Sequence, residues 1–243
     1  MTRSVAINVA ANTTLPGFRG PVYPDGTFEY VPIPEREPTA EPVPTYADLA
    51  PHLSVDFPES VLDRPLHLDP EFAEYPLSKA YTYGDEHGVK AGPISRLEPG
   101  DSLFFYATLS LRGQRADAPD WMPPEWGAYL IGEFRVERAI TGETYCDLPA
   151  DERERFASNA HVKRESVDAK VFVAGDDRSR LFDRAVPLSA PEAGATANRL
   201  VTELSNDSGK GPWWRRVLRF DASATDALRS VIDRGPEAVG RDR

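Results

Sequence analysis

The sequence has little cysteine and little lysine. Its single cysteine, Cys146, excludes an internal disulfide framework and a zinc site built from cysteines, and it favours a cytoplasmic location. Lysine supplies only five of the 28 basic residues, while Asp and Glu total 39, so the formal net charge is −11. Such acidity argues against a polyanionic partner, but it also suits a halophilic protein, because charges are screened within about 3 Å at 1 M salt. We favour salt adaptation, which leaves a nucleotide partner open.

Several chemical signatures are also missing. No apolar run approaches the roughly 18 residues of a membrane span, so we expect a soluble protein with no membrane partner. There is no phosphate-cradling loop, dinucleotide fingerprint or nucleophile elbow, and the cofactor stays unassigned. The four histidines, His52, His67, His87 and His161, lack the spacing of metal ligands. The sequence therefore predicts no metal site and offers no ordered catalytic constellation.

The hydrophobic pattern predicts both strands and helices. Alternating apolar residues or short apolar runs predict strands over Ser4–Val9, Leu103–Leu109, Ala128–Val136 and Lys170–Ala174. Helices are predicted over Leu148–Ala160, about Glu192–Leu204 and about Ala222–Arg234. We therefore expect an α+β, β-rich single domain over residues 1–243 with a core at about 4–220. Residues 36–60 are predicted to be a Pro-rich surface segment and 235–243 a flexible tail.

Charged loops near the N-terminus are the first candidate site. Pro24-Asp25-Gly26 has the composition of a tight turn. The surrounding stretch is rich in Gly and Pro and carries Arg19, Asp25 and Glu35, and rigid loops of this kind often bind ligands. The alternative is an ordinary hairpin whose charges face solvent.

Spaced motifs in this region point to a known family. They are Gly17-Phe18-Arg19-Gly20, Pro24-Asp25-Gly26 followed by Pro32-Ile33-Pro34, Thr45-Tyr46-Ala47-Asp48-Leu49, His67-Leu68-Asp69-Pro70 and the two central strands. This succession, over residues 4 to about 175, resembles the nucleotide modification associated domain 3 family. The resemblance implies a role in modifying nucleic-acid bases. The chain departs from the family in its first loop, where Arg19 is the only cation near the place of the family's Arg-Lys pair.

The central pair of strands carries a second resemblance. Pro99-Gly100-Asp101 leads into Leu103-Phe104-Phe105-Tyr106, and Tyr129-Leu130-Ile131-Gly132 follows later. The combination is similar to the hairpin of PUA-like domains, the group that includes ASCH and EVE domains. This resemblance implies a PUA-like mixed barrel with peripheral helices that holds a nucleobase, often a modified one.

Aromatic and polar residues around these elements are the predicted ligand site. Stacking on an aromatic ring stabilises a bound base by about 1–3 kcal/mol. The candidates for ligand binding are Asn12, Arg19, Tyr23, Asp25, Tyr30, Phe105, Tyr106, Trp126 and Tyr129. We expect Phe105, Tyr106 or Tyr129 to lie near Arg19 or Asp25 across a cavity. The alternative is that the strand aromatics simply form core.

Two further sets of residues have functional potential. Trp214, Arg215 and Arg216 form the only basic, aromatic run and could bind nucleic acid, or the run could close the core. Asp25, Glu35, Asp101 and His161 are candidate acid/base groups, although a lone histidine is more often structural.

Together these features favour a nucleotide-binding or modified-base-binding protein of a DNA base modification system. An enzyme of that system is the alternative, and a generic protein-interaction domain is the second. Binding ranks ahead because the sequence shows no ordered catalytic constellation. The expected partners are a nucleotide or nucleic acid and other proteins of the modification system.

Overall fold

The computed structural model describes residues 3–240. Its strands are β1 (Ser4–Asn8), β2 (Pro21–Val22), β3 (Ile33–Pro34), β4 (Leu66–His67), β5 (Thr82–Asp85), β6 (Ser102–Leu111), β7 (Trp126–Thr141), β8 (Val171–Gly175), β9 (Arg180–Pro187), β10 (Ser189–Ala190), β11 (Ala193–Ala197) and β12 (Leu218–Phe220). Its helices are α1 (Tyr46–Leu49), α2 (Glu59–Leu62), α3 (Gly88–Ile94), α4 (Gly142–Asp147), α5 (Ala150–Arg153), α6 (Arg199–Thr202) and α7 (Ala222–Arg234). Short 3-10 turns occupy Ala50–His52, Arg115–Asp117, Glu154–Phe156, Trp213–Arg215 and Pro236–Gly240.

The predicted α+β class is confirmed, with a central sheet of eight strands. The chain divides into two compact units. Unit 1 contains residues up to 31, 104–133 and from 182 onwards, and unit 2 contains 32–103 and 134–181. Strand β7 gives its first half to unit 1 and its second half to unit 2. The PUA-like barrel and the single-domain organisation remain predictions.

Unit 1 is built on strands that are buried on both faces. Their order is β12, β1, β6, β7, with β2 beside β6 and β9 beside β7. Strands β1 and β12 are antiparallel, and Ser4 pairs with Phe220. Helix α7 packs Leu228 and Val231 into the same core as Trp213, which is fully buried. This burial explains why the strand segments are nearly continuous apolar runs.

Unit 2 places its polar centre beside a smaller apolar core. Strand β8 pairs antiparallel with both the second half of β7 and β5. A separate two-stranded pair joins β3 to β4, with Ile33 opposite His67. Tyr145, Phe156 and Phe172 form the aromatic part of the core.

Most of the strand predictions are confirmed, but two helix predictions are wrong. The predicted helix Leu148–Ala160 is only α5 and a 3-10 turn, because Pro149 separates it from α4 and the chain turns after Phe156. The predicted helix Glu192–Leu204 is instead strand β11 followed by α6. In β11 the backbone of Gly194 packs so closely on Trp126 that an added Cβ would lie 2.0 Å from the Trp126 carbonyl oxygen. That contact overrides the helical preference of the alanines.

The chain segments with predicted special roles are partly ordered. The Pro-rich segment 36–60 contains α1, where the fully buried Tyr46 donates a 2.7 Å hydrogen bond to the Pro32 carbonyl. In the predicted tail, 236–240 forms a 3-10 turn with Ala238 buried, and 241–243 lies outside the described residues. Among residues 3–240, no helix is both long and apolar enough to cross a membrane.

The start of α7 provides a stability test. The Asp221 carboxylate accepts a 2.9 Å hydrogen bond from the Ala224 amide and so caps the helix. We expect Asp221→Ala to lower the free energy of unfolding by about 1 kcal/mol, because an amide at the helix terminus loses its acceptor. Asp226→Ala on the exposed face of the same helix is the matched control and should change stability by less than about 0.5 kcal/mol. Urea unfolding followed by circular dichroism measures both variants, and equal effects would contradict the capping role.

Candidate functional site

Six polar residues of unit 2 meet in a largely buried group that we call the histidine cluster. Its members are Glu35, His67, Asp69, His161, Arg164 and Asp168. The β3–β4 pair brings Glu35, just after β3, to His67 at the end of β4. Nδ1 of His67 lies 2.6 Å from Oε2 of Glu35. The cluster therefore joins segments that are far apart in the sequence.

Arg164 connects the carboxylates of this cluster. Its Nε and Nη2 donate to the two oxygens of Glu35 at 3.2 and 2.9 Å, a forked arrangement. Its Nη1 donates to Glu86 and to Asp168, each at 2.5 Å. One guanidinium thus fixes three carboxylates, and the planar fork makes arginine the residue suited to this position.

The second histidine repeats the pairing of the first. Nδ1 of His161 lies 2.8 Å from Oδ1 of Asp168. The rings of His67 and His161 meet edge to face, with centroids 4.9 Å apart and an interplanar angle of 89°. Each imidazole therefore has a carboxylate partner at Nδ1, which orients the ring and leaves Nε2 for chemistry.

Asp69 faces both Nε2 atoms. Its Oδ1 accepts hydrogen bonds from the Gly84 amide and from Nδ2 of Asn159, both at 2.9 Å. Its Oδ2 lies 3.9 Å from Nε2 of His67 and 3.8 Å from Nε2 of His161. Two imidazole nitrogens and a carboxylate oxygen form the type of donor set that binds transition metal ions.

The backbone at Gly84 lies directly against this cluster. A Cβ at this position would come within 2.6 Å of Cδ2 of His161 and 3.1 Å of Oδ1 of Asn159. Strand β5 can therefore approach the imidazole only with glycine at this point. The close approach lets the Gly84 amide reach Asp69.

Burial and ion pairing set the charges of the cluster. Burial raises the pKa of Glu35, but the hydrogen bonds from His67 and Arg164 outweigh it and hold that pKa well below its usual range. Burial and the charge of His67 lower the pKa of His161 to about 4. Burial raises the pKa of Asp69 to about 7. At neutral pH the Glu35–Arg164 pair is ionised and the His161 imidazole is neutral.

A groove of about 660 Å³ opens next to the same chain segment. It is lined by Glu41, Ala73, Lys79, Ala80, Tyr81, Glu154, Arg155, Ala157, Ser158, Lys163 and Gly175–Asp177. Within segment 158–164, Ser158 and Lys163 line the groove while Asn159, His161 and Arg164 point to the cluster. Lys163 also lines a narrow cavity beside Glu35. One segment therefore serves both the groove and the cluster.

The four predicted acid/base candidates have different surroundings. Glu35 and His161 both belong to the histidine cluster and are linked through Arg164. Asp101 is buried elsewhere in unit 2, and its carboxylate accepts a 3.0 Å hydrogen bond from the Glu98 amide. Asp25 lies in an exposed turn of unit 1, where its carboxylate accepts hydrogen bonds from the amide and the hydroxyl of Thr27. The structure thus brings two of the four together.

Three of the predicted binding residues form one aromatic and cationic surface in unit 1, which we call the Trp126 face. The guanidinium carbon of Arg19 lies 4.4 Å from the centroid of Trp126, a cation–π contact. Trp126 in turn meets Trp214 edge to face, with centroids 5.4 Å apart. Arg19, Trp126 and Trp214 are all half-buried.

The strand aromatics proposed as stacking platforms are core residues in this structure. Phe105, Tyr106, Tyr129 and Tyr30 are fully or almost fully buried. The Tyr106 hydroxyl donates to the Arg216 carbonyl. The Tyr129 hydroxyl has no hydrogen-bond partner within the described part of the chain. As the side chains stand, none of these rings offers a face to a ligand.

The remaining predicted residues make local contacts. Oδ1 of Asn12 accepts from the amides of Thr14 and Leu15, which holds its own loop together. The Tyr23 hydroxyl donates to Glu29 at 2.6 Å, and burial together with this bond raises the pKa of Tyr23 to about 12.

The two arginines of the predicted nucleic-acid patch are both exposed. Arg216 is committed to Asp207 at 2.9 Å and to the Lys210 carbonyl at 2.7 Å. Arg215 lies beside it in a 3-10 turn.

Sequence reasoning missed four members of the cluster. His67 and Asp69 lie in a motif that contributed to the family resemblance but was given no chemical role. Arg164 and Asp168 follow His161 at three and seven positions, a spacing that could have identified them only with Glu35 already placed opposite.

Gly84 provides a test of the packing of the cluster. We expect Gly84→Ala to destabilise the fold by about 1–3 kcal/mol, because the new methyl group displaces the His161 ring. Gly92→Ala is the matched control, since nothing lies within 4 Å of a Cβ at this helical position, and it should be neutral or slightly stabilising. Thermal unfolding measures both, and a neutral Gly84→Ala would show that the ring can move freely.

Comparisons with known proteins give limited but consistent information. No solved structure matches the chain. A stretch of 122 residues, 50% of this chain, is 30% identical to an aspartyl/glutamyl-tRNA(Asn/Gln) amidotransferase polypeptide of Halorhodospira halophila (strain DSM 244 / SL1). The match spans only 21% of that relative's length.

The strongest finding is a family match that spans nearly the whole chain. The model of nucleotide modification associated domain 3 matches residues 3–231, which include every member of the histidine cluster and of the Trp126 face. Membership implies a role in a nucleotide modification system. The chain belongs to the nucleotide modification associated domain 3 family.

Proposed function

We propose that this protein is an enzyme of a nucleotide modification system, which binds a nucleotide or base in the groove beside Tyr81 and acts on it at the histidine cluster. The observation that carries the proposal is the pair of imidazoles in unit 2. Each is bonded through Nδ1 to a carboxylate, and the two Nε2 atoms are directed at one carboxylate oxygen. Oriented imidazoles with free Nε2 atoms are the groups that most often transfer protons or hold metals in enzymes.

The cost of burying this cluster supports a functional role. Moving charged groups out of water is expensive, and replacing a buried ion network by apolar residues is often neutral or stabilising. Glu35, Arg164 and both histidines are nevertheless less than a tenth exposed. Perturbed ionisable groups concentrated at one place are typical of active sites. Binding ranks above catalysis on the sequence alone because the sequence lacks an ordered constellation, and this cluster is such a constellation.

The groove has the size and chemistry for a nucleotide. Its volume lies within the range of about 300–1,000 Å³ that is usual for small-molecule sites. Tyr81 supplies an aromatic ring, and Lys79, Arg155 and Lys163 supply positive charge. Arg155 is partly neutralised by Glu137, which leaves the two lysines as the better phosphate ligands. Acidic residues on the same wall disfavour a long polyanion and favour a single nucleotide.

A binding module without catalysis is the second candidate, and the Trp126 face favours it. An aromatic ring covered by an arginine and flanked by a second ring can accept a base by stacking when the arginine moves aside. Nε of Arg19 has no hydrogen-bond partner within residues 3–240, so such movement breaks no hydrogen bond at Nε.

A ligand screen tests both candidates. Normal and modified nucleosides and nucleotides, at low and at molar KCl, are added to the protein in a thermal-shift experiment. A ligand at a hundred times its dissociation constant stabilises the fold by about 2.7 kcal/mol. We expect Lys163→Met to abolish the shift and Arg19→Met to preserve it. The reverse pattern would favour the binding module, and no shift with any compound would contradict both candidates.

Substitution of the histidines tests catalysis. His67→Asn and His161→Asn each keep an amide near the Nδ1 position and remove Nε2. We expect each to retain affinity for the ligand found in the screen but to lower turnover by about 100-fold or more, because Nε2 is the reacting atom. Asp25→Asn, in the exposed turn of unit 1, is the control and should change neither quantity.

Circular dichroism and melting temperature establish that the histidine variants are folded. Loss of affinity with unchanged turnover per bound ligand would rule out the catalytic role.

A further inference from the structure

We propose that Nε2 of His67, Nε2 of His161 and Oδ2 of Asp69 bind a divalent transition-metal ion. The proposal deepens the function suggested above at the same cluster and rests on it for the role of the metal, although metal binding itself can be measured without a substrate. No sequence spacing pointed to this site, because its two histidines lie in distant segments.

The three atoms surround a point at which an ion fits. Oδ2 of Asp69 lies 3.9 Å from one Nε2 and 3.8 Å from the other, and all three atoms lie within 4.8 Å of one another. Ligands about 2.1 Å from a tetrahedral zinc ion are separated by about 3.4 Å. The side chains therefore need to close by only about half an ångström around the ion.

The same distances are too long for direct hydrogen bonds. A nitrogen and an oxygen that share a proton are separated by about 2.7–3.2 Å, so Asp69 Oδ2 does not bond either ring. Asp69 is buried, and its other oxygen is already occupied by Gly84 and Asn159. A bridging ion would satisfy the remaining oxygen and both nitrogens together.

The surroundings match those of bound metals in proteins. A metal-binding histidine usually donates its other ring N–H to a carboxylate, which fixes the tautomer and the ring direction. Glu35 supports His67 in this way, and Asp168 supports His161. Both outer carboxylates are held by Arg164, so the direction of each Nε2 is set before an ion arrives.

Arg164 also decides which side of His161 an ion can occupy. Glu86, His161 Nδ1 and Asp168 form another group with ligand-like spacing, but Nη1 of Arg164 already contacts all three. On the other side, the carboxylates of Glu35, Glu86 and Asp168 exceed this one guanidinium by two negative charges, before Asp69 is counted. A divalent cation at Asp69 offsets that excess.

Two imidazoles and one carboxylate leave coordination positions open. Sites of this kind bind zinc or iron and present an open position to water or substrate. A metal with that ligand set would supply Lewis-acid or redox chemistry to a base or nucleotide, while the two imidazoles hold the ion in place.

The test is calorimetric titration of the full chain with Zn²⁺ after EDTA treatment and its removal, together with the visible spectrum of the Co²⁺ form. We expect one site per chain. Asp69→Asn keeps an oxygen for Gly84 and Asn159 but replaces Oδ2, and it should weaken Zn²⁺ binding by at least about 100-fold. Glu35→Gln should weaken binding by about 10- to 100-fold through loss of ring orientation. His52→Asn, which removes an exposed imidazole, is the control and should leave binding unchanged.

Each result bears on the proposal. Absence of both Zn²⁺ heat and a Co²⁺ spectrum would overturn it, as would wild-type affinity in folded Asp69→Asn and His67→Asn variants. If Asp69→Asn fails to fold without metal, His67→Asn and His161→Asn decide the question. Zn²⁺ binding without turnover of any nucleotide would contradict the proposed function alone. Turnover by protein that binds no Zn²⁺ would overturn the metal site alone.

Discussion

The polar centre of unit 2 depends on the guanidinium of Arg164. It bonds Glu35, Glu86 and Asp168 at once, and two of these carboxylates in turn orient His67 and His161. Breaking a buried ion pair by removing one partner typically costs about 3–5 kcal/mol, because the other charge is left uncompensated. A lysine would preserve the charge but not the fork. The directions of both imidazoles therefore follow from one side chain that contacts neither Nε2.

The backbone of unit 2 is arranged to keep that centre in place. Amides at residues 40 and 165 bond the carbonyls of Lys163 and Pro38, so the Pro-rich segment is tied to the segment that carries Arg164. On another side, the Gly84 amide in β5 fixes Asp69, and β5 is itself held by β8 over the apolar core. Apolar packing thus supplies the stability, and the polar cluster uses it. This division is expected where function requires burial of charge.

The sequence was informative where structure is local. Strands β1, β6, β7 and β8 and helix α7 follow from apolar pattern and capping residues within the segment itself. The helix predicted at Glu192–Leu204 failed because the contact of Gly194 with Trp126 is invisible in the local pattern. The site was half predictable for the same reason. Glu35 and His161 were selected as reactive residue types in suitable loops, but their partner Arg164 is defined only by long-range packing. The strand aromatics were overvalued as platforms because burial, too, is set by the whole fold.

The two candidate sites differ in what they require of the protein. The Trp126 face uses half-exposed side chains, and a cation–π contact at such a position stabilises by only about 0.5–1 kcal/mol, so stacked aromatics of this kind can form at little cost. The histidine cluster is different, because four carboxylates, two imidazoles and a guanidinium lie at or near the interior and satisfy one another almost completely. The exception is the oxygen of Asp69 that faces two nitrogens beyond hydrogen-bond distance. In a network otherwise closed, that gap is where an outside group has to enter, and this is why the chemistry of the protein is best sought there.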